Sequence, residues 1–255
     1  MKDQLTVASW NIAGGRKMKS LGQFDYEGED LEYFATQLKA HKPDIVCLQE
    51  SHTNSERSIA AELALLLGYG YVYNQPMSPS HVDEAFQLGT AILSKWPLEP
   101  SGTFNVPYPS FPLFFSDGRP AIVHEKGVQT FKLGDIMIAN MQLLPIALFG
   151  AQYDDGADGT ALARSIEASL LEHLRTPLIF AGDFNFDTPQ TVYANLYKTL
   201  SLHEALPSEL TRPNKEGMKK TPDHLLYSDG LTLVDSKVVP VHADHYLCVA
   251  TFKRA

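Results

Sequence analysis

Short apolar runs that stop at a carboxylate or an amide constrain this chain most. The stretch "PLIFAGDFN" leads from Leu178 to Ala181 through Gly182 into Asp183, and Asn185 follows two residues on. "DIVCLQE" runs from Ile45 through Leu48 to Glu50, and "LTVASWN" ends at Asn11. Apolar runs of about four to eight residues between turn signals read as buried strands, because helices need longer periodic stretches. A buried strand gains stability from its apolar side chains and nothing from a carboxylate at its end. Asp183 and Asn185 therefore pose the question of turn or site.

The rest of the chain repeats the pattern and adds helices. Strands are predicted at 5–12, 44–50, 69–74, 88–94, 121–131 and 136–143, the last two joined by a turn at Gly134-Asp135. Asp30 is placed to cap a helix with Leu31, Phe34 and Leu38 on one face, ended before Pro43. Thr53 and Glu56 have the spacing of a capping box for a helix through Ile59, Leu63, Leu66 and Leu67 that stops at Gly68. A further helix runs through Leu162, Ile166, Leu170 and Leu174. Thr188 and Pro189 suit the N-cap and first residue of one through Val192, Leu196 and Leu200. Asp229-Gly230 between two apolar runs predicts a hairpin, and "YLCVATF" closes the chain with a strand. Hairpins exclude a purely parallel sheet, so the fold class is α/β with a two-layer sheet core and helices outside.

Two stretches read as insertions. Residues 104–115 hold three prolines and an aromatic load that either covers core or contacts a membrane, the first being the commoner use. Residues 208–220 place Arg212, Lys215, Lys219 and Lys220 in an otherwise acidic chain, as either an anion-contacting loop or a solvated turn.

Composition narrows the partners. The 255 residues are 44% hydrophobic and 20% charged, which fits one globular domain spanning 1–255. No apolar run reaches the ~20 residues of a membrane helix, and the amino terminus lacks a signal-peptide core. Cys47 and Cys248 lie in strand-like apolar runs and read as buried free thiols in a reducing compartment, so the expected location is cytoplasmic, by elimination. Lys and Arg number 21 against 30 Asp and Glu, a formal charge of −9. Proteins that bind long duplexes usually carry the opposite excess, because counterion release from phosphates drives their binding. A bound divalent cation weakens that argument by changing the local field.

The polar strand ends form a set of one chemical kind: Asn11, Glu50, Asp183 and Asn185, with Asp223 at the start of "DHLLYS" and Asp244-His245 before the last strand. Singly, each is explained as a turn residue, a helix cap or a hydrogen-bonded core histidine. Converging on one rim, several carboxylates repel one another unless something positive sits among them. Hard oxygen donors of this kind suit Mg²⁺ or Mn²⁺, and the absence of a Cys cluster or a helical His pair disfavours zinc.

In this order, "SWNI", "LQE", "GDFN", "PDHLLYS" and "ADH" resemble the endonuclease/exonuclease/phosphatase superfamily of deoxyribonuclease-I-like fold, and "GTAILSKWPL" adds a further match. The resemblance implies a four-layer α/β sandwich, two mixed β-sheets flanked by helices, acting as a Mg²⁺/Mn²⁺-dependent phosphoesterase. It implies Glu50 as principal metal ligand with Asn11 and Asp244 close to the same ion. It further implies Asp183 orienting or deprotonating the attacking water, and Asn185 positioning water and a phosphate oxygen or a second ion. His245 would touch the scissile phosphate, its tautomer held by Asp223. Arg212 and Lys215 are the candidate substrate-binding cations.

Two positions depart from the family pattern. Gln142 stands where many members carry a histidine, and an amide donates a hydrogen bond but carries neither proton nor charge. Ala13 stands where nuclease branches often place an Asp. With the negative net charge, that shifts the expected substrate from DNA toward a small or lipid-linked phosphoester. Two other readings compete: a catalytically weakened member kept as a binding module, and a metal-free acid–base hydrolase using Asp183 and Asp244. The retained carboxylates argue against the first, and the lack of a nucleophile motif such as G-x-S-x-G against the second.

Overall fold

The computed structural model describes residues 3–21, 25–121, 124–206, 209–213 and 220–255. The chain opens with β1 (Leu5–Asn11), a small hairpin of β2 (Arg16–Met18) and β3 (Tyr26–Glu29), then α1 (Leu31–His41) and β4 (Ile45–Thr53). There follow α2 (Ile59–Leu67), β5 (Tyr71–Pro79), β6 (Gln87–Ser94), β7 (Glu99–Asn105), β8 (Gly127–Leu133) and β9 (Ile136–Gln142). α3 (Ala157–His173) leads into β10 (Leu178–Asp183), α4 (Pro189–Val192), α5 (Ala194–Thr199) and β11 (Leu202–Glu204). The chain closes on β12 (Asp223–Ser228), β13 (Leu231–Val239) and β14 (Leu247–Arg254).

Two six-stranded mixed sheets result, ordered β13-β14-β1-β4-β6-β5 and β11-β12-β10-β9-β8-β7. They pack face to face, and the period-two alternation of strand side chains explains why both are buried on both faces. Along β10, Ile179 and Ala181 join the core between the sheets, while Leu178 and Phe180 join the core beneath α3 and α5. Along β1, Val7 faces the other sheet, while Ala8 and Trp10 pack with Phe34 and Leu38 of α1. A side chain the size of Phe180, buried completely, contributes about 1.5–3 kcal/mol. The layers are helix, sheet, sheet, helix, as the resemblance implies.

Several sequence expectations hold in detail. Asp30 caps α1 by accepting from the Tyr33 amide at 2.9 Å, and Gly134-Asp135 joins β8 to β9 as a hairpin. Others are corrected. Thr53 does not cap α2: it belongs to β4, and the cap is Ser58, whose Oγ accepts from the Ala61 amide at 3.2 Å. Asp229-Gly230 does not close a hairpin, because β12 and β13 lie in different sheets and the turn carries the chain across. A tight turn signal specifies a reversal, but which strand pairs afterward is decided by burial. The strand predicted at 121–131 starts at Gly127, and the helix from Pro189 breaks at Tyr193 into α4 and α5. In 104–115, Phe104 and Phe111 cover core, while Tyr108, Phe114 and Phe115 are exposed.

Among the described residues, no helix is long and apolar enough to cross a membrane. Cys47 and Cys248 are both buried free thiols.

Candidate active site

The inner strands of the two sheets bring the polar ends together. β1 and β4 pair in parallel, with Asn11 beside Gln49. In the other sheet Asp183 lies in register with both Gln142 of β9 and Asp223 of β12. Gly182 permits this close packing, since a Cβ there would lie 2.5 Å from the Met141 carbonyl oxygen.

Glu50 reaches the site by a different route from the one predicted. β4 does not end at Glu50 but continues to Thr53, and its register with β6 shifts between Leu48 and Ser51. Glu50 sits in this bulge with φ +53°, a left-handed conformation uncommon for a side-chain-bearing residue. The bulge turns Glu50 out of the alternation that governs its neighbours. Gly89 on β6 lies opposite Ser51 and Pro76, where an added Cβ would sit 2.0 Å from the Gln75 oxygen, so the glycine-led strand has a steric reason.

Asp183 is the hub. Its Oδ2 accepts from Asn11 Nδ2 at 3.0 Å, and its Oδ1 accepts from the Asn185 amide at 2.9 Å. Asn185 adopts φ +60° and donates from Nδ2 to the Leu143 carbonyl at 2.8 Å. The turn after β10 thus locks the carboxylate it follows. Asn11 gives its amide nitrogen to this network, while its Oδ1 accepts from the Ala13 amide at 3.0 Å.

His245 donates from Nδ1 to Asp223 Oδ2 at 2.8 Å, and both residues are buried. Trp10 Nε1 holds the His245 carbonyl at 3.0 Å. Ligand atoms of Asp183, Asp223 and His245 lie within 4.8 Å of one another. Burial opposes charge on His245, but the carboxylates of Asp223 and Asp183 outweigh it, and the imidazole is pushed up to about 10. Burial above all raises Asp183 to about 6, with Asp223 and Glu50 adding to it and His245 opposing. One imidazolium thus faces two carboxyl groups in this trio.

Two further carboxylates, Glu50 and Asp244, each interact electrostatically with His245. Burial favours the neutral form of Glu50, but the charges of Lys126, His81 and His245 prevail and hold the carboxyl below its ordinary range. Asp244 has its Oδ2 3.7 Å from the Arg212 guanidinium, and its buried Oδ1 has no hydrogen-bond partner among the described residues. Hard carboxylate oxygens, one of them buried and unsatisfied, fit a divalent cation such as Mg²⁺ or Mn²⁺. In the trio of Asp183, Asp223 and His245, Nδ1 of His245 is already used by Asp223.

Gln142 donates from Nε2 to Glu50 Oε1 at 2.8 Å and accepts from Lys126 Nζ at 2.8 Å. Lys126 was missed in the sequence, where it lies inside a run read as strand. The available signal was the anomaly itself, a charged residue in a run assigned to a buried strand. Beneath the site, Gln49 Nε2 donates to Asn140 Oδ1 at 2.7 Å, and Asn140 donates to the Leu48 and Ala91 carbonyls, each at 3.0 Å. These buried amides bridge the two sheets.

A cleft of about 320 Å³ adjoins Asn185, lined among others by Tyr153, Asp187, Arg212 and Lys220. Lys215 and Lys219 lie outside the described residues.

The sequence matches the Endonuclease/Exonuclease/phosphatase family over residues 8–246. The chain belongs to that family. Solved structures of the same fold include an endonuclease/exonuclease/phosphatase from Beutenbergia cavernae DSM 12333, at 18% identity and TM-score 0.72, covering 100% of this chain and 72% of that one. The 2',3'-cyclic phosphatase ANGEL2 is similar at 15% identity and TM-score 0.62, covering 98% and 95% of the respective chains. A mannosyl-6-phosphatase from Bacteroides thetaiotaomicron VPI-5482 is similar at 17% identity and TM-score 0.59, covering 97% and 99%. No curated protein matches by sequence.

Proposed function

We propose that residues 1–255 form a single-domain Mg²⁺- or Mn²⁺-dependent phosphoric ester hydrolase that cleaves a phosphodiester or phosphomonoester by in-line attack of water. The observation that carries this reading is the buried convergence of Asp183, Asp223 and His245, tied to Asn11 and faced by Glu50. Glu50 and Asp244 would hold the divalent ion with Asn11 beside them. The ion when bound supplies Lewis-acid stabilisation of charge developing on the phosphoryl oxygens.

The chain's own groups do the rest. Asp183, raised to about 6, is poised near neutrality to orient water and take its proton. Such general-base help is worth on the order of 10² to 10⁴ in rate. The Asn185 amide fixes the Asp183 carboxylate in the orientation this requires. With Nδ1 given to Asp223, His245 turns Nε2 to the phosphate as a charged donor. Arg212 and Lys220 meet the rest of an anionic substrate in the adjoining cleft, and Lys215, in the same basic stretch of sequence, is the further candidate cation. A formal charge of −9 favours a small or lipid-linked phosphoester over a long duplex.

The test is hydrolysis of bis-p-nitrophenyl phosphate and of p-nitrophenyl phosphate with Mg²⁺ or Mn²⁺, then with a chelator. Turnover should require the metal and disappear in Glu50→Ala, and the diester-to-monoester ratio would assign the ester class. No metal-dependent turnover on these, on plasmid DNA or on lipid phosphodiesters would leave a binding module as the better reading.

A further inference from the structure

Lys126 is a buried ammonium that the reading above does not use. It is 8% exposed and lies just before β8, its carbonyl accepting from the Val106 amide at 2.9 Å. Its Nζ donates to Gln142 Oε1 at 2.8 Å, and Gln142, 2% exposed, donates onward to Glu50 Oε1 at 2.8 Å. The direction of this chain is set by chemistry. An ammonium only donates and a carboxylate only accepts, so an amide between them has one satisfied orientation.

We propose that Lys126 is a positioning residue which, through Gln142, holds the Glu50 carboxylate in the orientation that receives the divalent cation. The inference rests on Glu50 being a metal ligand. Glu50 sits in a left-handed bulge, outside the regular pairing of β4 with β6, so polar contacts such as the one from Gln142 fix the orientation of its carboxylate. A lysine touching Glu50 directly would take the place of the cation it is meant to receive. The amide transmits orientation while keeping the ammonium one residue away. The same chain explains the departure at position 142. A protonated histidine there would lie against a buried ammonium, whereas glutamine accepts from one side and donates to the other at no charge.

The experiment is Mn²⁺ binding to the metal-free protein, read as the loss of the free-ion electron paramagnetic resonance signal, with no turnover involved. Lys126→Met and Gln142→Met, each close to its parent in volume, should weaken binding about tenfold or more, the range for groups that support a metal ligand. The double variant should be little worse than either single one, because each breaks the same chain, and Lys126→Arg should recover part of the loss. Thermal unfolding of every variant is compared. If Lys126→Met fails to fold, Lys126→Arg and Gln142→Met carry the test. Wild-type affinity in folded Gln142→Met, or in folded Lys126→Met, overturns the proposal while leaving the site assignment intact. Unchanged binding in Glu50→Ala, or no binding by the wild type, overturns that assignment and the proposal with it.

Discussion

The two halves of the site stabilise a carboxylate in opposite ways. Asp223 meets its cation directly, with the imidazole of His245 at 2.8 Å. Glu50 meets Lys126 only through Gln142, across two contacts of 2.8 Å each. The direct pair orients His245 and, together with Asp183, favours its charge, so in the proposed function His245 acts while Asp223 stays behind it. On the proposed reading, the bridged pair orients Glu50 without taking the place of a divalent ion, so Glu50 itself remains available. A carboxylate that supports another residue is paired, and one that must bind something is propped.

The largest effect should come from removing the direct half. His245→Ala should lower kcat/KM on the preferred phosphoester by about 10³, within the 10²–10⁴ range for a positioned acid–base or donor group. A loss below tenfold, measured by steady-state kinetics at saturating Mg²⁺, would deny His245 a place at the phosphate. Asp223→Asn keeps the imidazole but removes the charge that raises its pKa, and should cost about 10- to 100-fold. If Asp223→Asn matches His245→Ala, the two act as one unit rather than as a donor and its support.

Legibility in the sequence follows the same division. Asp223 and His245 sit in short motifs whose order along the chain is informative. Their partners are other polar strand ends, so the direct half was visible. The layers were visible too, since continuous apolar runs such as Leu178–Ala181 need cover on both faces. The bridged half was hidden, because Lys126 acts on Glu50 through a residue noticed only for failing to be a histidine. The bulge at Glu50 was hidden for a different reason: it is a shift in register against β6, whose Gly89 pairs with Ser51 from 38 positions further along the chain, and no local propensity records it. The crossing at Asp229-Gly230 was misread because turn chemistry is local while sheet membership is global.

Both halves stand on the amide seam between the sheets, and its removal should show in stability before it shows in rate. Asn140→Leu deletes three contacts of a fully buried side chain, leaving Gln49 Nε2 without its 2.7 Å partner and the Leu48 and Ala91 carbonyls without theirs. An unsatisfied buried group costs about 1–3 kcal/mol, so chemical denaturation should report a loss in that range. An unchanged midpoint would mean that the seam is repacked at no cost.

The smallest effect belongs to Trp10, which fills the core against Phe34 and also anchors the His245 backbone through Nε1 at 3.0 Å. Trp10→Phe keeps the aromatic packing in large part and removes the anchor, so its cost combines one hydrogen bond of about 1 kcal/mol with the loss of some buried area. The informative outcome is where that cost falls. Loosening the His245 backbone disturbs only the direct half, so kcat should drop severalfold while Mn²⁺ affinity, governed by the Glu50 half, stays at the wild-type value. An equal loss in both measurements would show that the halves are mechanically one, coupled through β1, where Trp10 lies next to Asn11 and Asn11 holds Asp183.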